Sequence, residues 1–91
     1  MLITTTLAII GILTAIAVLS LDRIKNWLRG LRATKAGELI KCEMANGNVE
    51  IVSIGLTANG TRTGEKTWTA KSLDPELAAA FGYSNRARIT V

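Results

Sequence analysis

Residues 2–21 read LITTTLAIIGILTAIAVLSL and carry no charged side chain. No other stretch limits the folding of this chain so strongly. As a helix, a run of 20 residues rises ~30 Å, the hydrocarbon thickness of a bilayer. On insertion scales its central Leu, Ile and Val side chains each contribute a few tenths of a kcal/mol, and no charge costing roughly 3 kcal/mol opposes them. The expectation is a membrane-spanning helix over residues 1–21. Two alternatives compete. Ala15, Ile16 and Ala17 form a small-x-small pattern suited to leader cleavage, but no Lys or Arg precedes the apolar run, which is longer than the usual core of a leader. A helix buried in a water-soluble core is disfavoured because so long a run has no polar face.

Charge sets the expected direction. Arg23, Lys25, Arg29, Arg32 and Lys35 follow the run, against Asp22 alone. The positive-inside rule then places the amino terminus outside and the C-terminal domain in the cytoplasm; in a virion membrane the basic side is the one that was cytoplasmic during insertion. Within the run, Thr4, Ala8, Gly11 and Ala15, continued by Val18, recur every three or four residues. Small side chains so spaced let helix backbones approach closely, which predicts a packing face for another span or for a second copy.

Residues 22–36 are expected to continue as a basic amphipathic juxtamembrane helix. Ile24, Trp27, Leu28 and Leu31 recur at helical spacing, with the cations around the rest. Arg23, Lys25, Trp27, Arg29, Arg32 and Lys35 are the candidates for contact with lipid headgroups or an acidic partner, and the half-apolar indole of Trp27 suits an interface. Gly30 weakens the helix by ~1 kcal/mol relative to Ala and marks a bend.

From Gly37 the apolar period changes from helical to two. The remaining stretch, residues 37–91, is short for a self-sufficient core. It reads as a small α+β module of about four antiparallel strands, an SH3-/OB-like small barrel or a meander, with one short helix. Residues 38–45 and 48–56 form a hairpin about a two-residue type I′ turn at Asn46-Gly47. That register pairs Met44 with Val49, Cys42 with Ile51 and Ile40 with Ser53 on an apolar face, and buries Cys42 as a small hydrophobe. Residues 58–65 read as a loop, and residues 67–71 as a third strand with Trp68 and Ala70 inward. Asp74 is an N-cap, Pro75 opens a helix, Glu76 favours its positive end and Gly82 stops it, so that Leu77 and Phe81 share a buried face. Residues 86–91 alternate as a last strand.

The chemistry-bearing residues are few. There is no histidine and one cysteine, which excludes an internal disulfide and histidine- or multi-cysteine-bound zinc. Gly60, Gly64, Lys66 and Thr67 have the wrong spacing for a phosphate loop. Residues 77–84 look like the first half of a helix-turn-helix, but its recognition helix would have to be residues 85–91, which are too short and alternate like a strand. No nucleophile with a base stands out, and no carboxylate pair. The expectation is therefore no enzyme and no cofactor. The net charge of +4 suits an anionic partner, and Arg62, Lys66, Lys71, Arg86 and Arg88 are the candidates for polyanion contact. The expected role is a non-enzymatic single-pass membrane protein, a small structural or accessory subunit of a larger membrane assembly. The alternatives are a structural membrane protein of a membrane-containing virus or phage, and a membrane-tethered nucleic-acid binder.

Overall fold

The computed structural model describes residues 15–91 and begins on a strand. Strand β1 (Ile16–Leu19) runs parallel to β4 (Arg62–Leu73), pairing Ile16 with Ala70, Val18 with Ser72 and Leu19 with Leu73. Leu19 is fully buried, and its carbonyl accepts a hydrogen bond from the Asp74 amide at 2.9 Å. The Ser72 hydroxyl donates to the Ala17 carbonyl at 3.1 Å. Ser20 is extended (φ −101°, ψ 152°), and its hydroxyl accepts from the Arg23 amide, capping helix α1 (Leu21–Arg29).

These contacts correct the expectation of a membrane-spanning helix over residues 1–21. A helix cannot run through a cap residue with extended dihedrals. The last third of the apolar run is instead a strand, a cap and the first residue of a nine-residue helix. Among the described residues, no helix is long and apolar enough to cross a membrane. The single-pass placement, with the amino terminus outside and the domain cytoplasmic or with a virion membrane instead, depended on that helix and falls with it. The physical source of the error is an ambiguity of apolar runs. An apolar run does not say whether a helix or a strand will bury it: β1 is an edge strand with Leu19 buried and Val18 54% exposed, and β-branched Ile and Val favour extended backbone. Of the proposed helix-packing residues, Thr4, Ala8 and Gly11 lie outside the described residues; Ala15 is half-buried just ahead of β1.

The expected four-stranded module with one helix is likewise replaced. The sheet has five strands in the order β1-β4-β3-β2-β5 and is mixed, since β1 is parallel to β4 and every other pairing is antiparallel. Strands β2 (Ala36–Glu43), β3 (Val49–Leu56) and β4 form a meander, and β5 (Arg86–Thr90) returns beside β2. Strand β4 starts earlier than the residue alternation indicates, at Arg62, because it stays paired to β3 from Val49 to Leu56 through an irregularity at Gly55 and Leu56. Helix α2 (Pro75–Phe81) follows its sequence signals: the Asp74 carboxylate accepts from the Leu77 amide at 2.8 Å, Pro75 opens it, and Gly82 ends it at φ 58°.

One cluster holds the fold together. Leu19, Ile24, Leu28, Leu39, Ile51, Trp68, Ala70, Leu77, Phe81 and Ile89 are buried in contact with one another, so β1 and α1 share a core with the rest of the sheet. Helix α1 and the turn that follows it lie close to the sheet because three glycines stand side by side beneath Leu28 and Leu31. Gly37 pairs with Gly55, and Gly55 with Gly64. A Cβ on Gly37 would sit 2.5 Å from Cδ1 of Leu28, and one on Gly64 would sit 3.0 Å from Cδ1 of Leu31. Among the described residues Ser53 is the one buried polar side chain, and its hydroxyl accepts from the Trp68 indole N–H at 2.9 Å.

The hairpin forms, but one residue out of the expected register. The pairs are Glu43 with Val49, Lys41 with Ile51 and Leu39 with Ser53. Its loop has three residues, Ala45, Asn46 and Gly47. The Met44 carbonyl accepts from the Gly47 amide at 3.0 Å, the Met44 amide donates to the Asn48 carbonyl at 2.8 Å, and Gly47 takes φ 89°. Asn46 steadies the turn by accepting from the Asn48 amide at 3.0 Å. Asn-Gly suits this bulged loop as well as a type I′ turn, and a slip of one residue moves every side chain of a strand to the other face. Cys42 is accordingly exposed rather than buried, and Leu39 takes the core place expected for Ile40.

Candidate interaction surface

Both helices cover the same side of the sheet. Ile24 and Leu28 of α1 and Leu77 and Phe81 of α2 join the core cluster with Leu39, Ile51, Trp68 and Ile89 of the sheet. The residues that alternate with these occupy the opposite face: Glu38, Ile40 and Cys42 on β2, Glu50, Val52 and Ile54 on β3, Glu65, Thr67 and Thr69 on β4, and Arg86 and Arg88 on β5. No element of the described residues lies over this face. Its centre is apolar, with half-buried Ile40, Val52 and Ile54 on two adjacent strands, and its flanks are charged. Arg86 approaches Glu38 at 3.6 Å, and Arg62 pairs with Glu65. Arg88 has no ion-pair partner among the described residues.

The basic residues singled out in the sequence do not converge. Arg86 and Arg88 lie on the edge strand β5, while Arg62, Lys66 and Lys71 lie on β4, with β2 and β3 between. Two of the five are in ion pairs, and the Lys66 ammonium stands 4.4 Å from the centroid of the Trp68 ring. The cations of residues 22–36 are spread in the same way. Arg23, Lys25 and Arg29 lie along α1, and Arg32 and Lys35 in the connection to β2. The Arg29 guanidinium donates to the Asn26 side chain at 2.9 Å. Trp27, expected at a headgroup layer, meets Trp68 edge-on with ring centroids 6.4 Å apart. The Lys35 backbone ties the connection between α1 and β2 to the chains on either side of β2: its amide donates to Leu56 of β3 at 2.8 Å, and its carbonyl accepts from Val91, just after β5, at 3.2 Å.

A cleft of about 460 Å³ opens where β1 begins beside β4, lined by Ile16, Arg23, Lys66, Thr67, Trp68 and Thr69. It contains two cations and two hydroxyls. Among the described residues no three metal-ligating side chains gather anywhere. Sequence reasoning missed the open face because the hairpin register decides which residues form it. The available signal was Gly37, whose missing side chain is needed under Leu28 and so places the odd-numbered residues of β2 inward.

No protein-family model, curated protein or solved structure matches the chain.

Proposed function

We propose that this chain is a non-enzymatic structural subunit that assembles with other proteins through the open face of its sheet. The observation that carries this is the apolar strip of Ile40, Val52 and Ile54, set between charged flanks on a face that neither helix covers. An apolar centre with a polar rim is the anatomy of a protein interface. A nucleic-acid contact has less support, since the five candidate cations lie on separated strands and two are already paired with carboxylates.

The test compares the full-length chain with its Val52→Lys variant, each tagged and recovered from its source cells. Proteins retained in constant ratio by the first and lost by the second, with the unfolding midpoint unchanged, support the assignment. The same retained proteins for both chains would overturn it.

A further inference from the structure

The open face carries its charge unevenly from side to side, with two arginines on β5 and a glutamate on β4. Strand register places Arg88, Glu38, Ile54 and Glu65 in one row across β5, β2, β3 and β4, and Arg86, Ile40, Val52 and Thr67 in the next. Neighbouring strands are ~4.8 Å apart, so the ends of a row stand ~14 Å from each other. One end of the first row, Arg88, is a cation without an ion-pair partner among the described residues. The other is Glu65, which Arg62 of its own strand already pairs and whose side chain is 52% exposed, so that a facing Arg88 would share it with Arg62. The apolar residues lie on the two strands between them.

We infer that the occupant of this face is a second copy of the same chain, stacked sheet on sheet about a twofold axis. This rests on the reading of the face as a protein interface and names its partner. The axis runs along the strands, between β2 and β3, midway between the two sheets. Such an axis carries β5 of one copy over β4 of the other, and β2 over β3. Each row then faces itself reversed. Arg88 meets Glu65 of the second copy, Ile40 meets its Val52, and both contacts occur twice because a twofold interface repeats every pair. Stacked sheets lie ~10 Å apart, a gap that an Ile–Val pair fills and that extended Arg and Glu side chains span together. Glu38 enters the interface opposite Ile54 with Arg86 beside it at 3.6 Å, so its charge is not left alone. The charge pattern also discriminates: the same stacking with both copies turned the other way sets Arg88 against Arg88.

Sedimentation of the full-length chain over a range of concentrations and salt tests the inference. A mass of two chains is expected, weakening as salt rises. Val52→Lys should give a single chain. Arg88→Glu and Glu65→Arg, each setting like charges opposite each other at two places, should each weaken association at least about tenfold. The double variant Arg88→Glu, Glu65→Arg should recover it. Far-UV circular dichroism and unfolding midpoints show whether each variant is folded. A single-chain mass at all concentrations overturns the inference, as does a dimer indifferent to Val52→Lys or a double variant no tighter than its parents. If the chain is monomeric but Val52→Lys still strips other proteins from it, the second copy is wrong and the interface stands. If Val52→Lys changes neither, both fall.

Discussion

Individual residues hold this fold where the helix meets the sheet. Gly37 cannot carry a side chain without pushing Leu28, which is itself fully buried. Gly37→Val should destabilise the domain by about 1–3 kcal/mol through overpacking, read as a lower denaturation midpoint; unchanged stability would mean that α1 does not lie on this glycine row. The Ser53–Trp68 hydrogen bond makes a second, separable prediction. Both groups are buried, and the indole N–H has the Ser53 hydroxyl as its acceptor. Ser53→Ala orphans that donor and should cost about 1–3 kcal/mol, measured by equilibrium unfolding followed through tryptophan fluorescence. Lys41 shows how a cation is tolerated on the core side: its ammonium lies 5.2 Å from the centroid of the Phe81 ring.

At the scale of elements, β1 makes the sharpest prediction. Leu19 is fully buried, and its carbonyl holds the Asp74 amide immediately before α2. Leu19→Ala should cost about 2–5 kcal/mol and speed hydrogen exchange at the Asp74 amide; an unaffected amide would mean that β1 does not pair with β4. Elements with local punctuation were legible in advance. Asp74, Pro75 and Gly82 bracket α2 without help from distant residues. Of the expected stripe of Ile24, Trp27, Leu28 and Leu31, the first three lie on α1 with Ile24 and Leu28 buried, while the helix expected over residues 22–36 stops at Arg29, ahead of Leu31. Elements defined by a distant partner were not. β1 is a strand because β4 hydrogen-bonds it, and β4 extends back to Arg62 because β3 lies alongside. The hairpin is intermediate. Asn46-Gly47 locates the turn, but the choice between a two- and a three-residue loop depends on which face of β2 can lie beneath α1.

For the whole molecule, the two faces of the sheet respond oppositely to the same substitution at neighbouring positions. Val52→Lys, on the open face, should change the stability of the single chain, measured at concentrations too low for association, by no more than about 0.5 kcal/mol, whereas Ile51→Lys, one residue away in the core, should cost more than about 4 kcal/mol and prevent folding. Denaturation of the two variants checks both, and equal effects would place the core on both sides of the sheet. By itself the sequence determined what short-range chemistry can specify: helix caps, the turn, the strand alternation, the lack of any histidine, and the inward placing of Trp68 and Ala70. It left open the fate of the apolar run, because hydrophobicity states only that side chains must leave water and not what will receive them. Tertiary structure decided that for Leu19, and it decided the hairpin register, since both depend on pairings and packing between residues far apart in the chain.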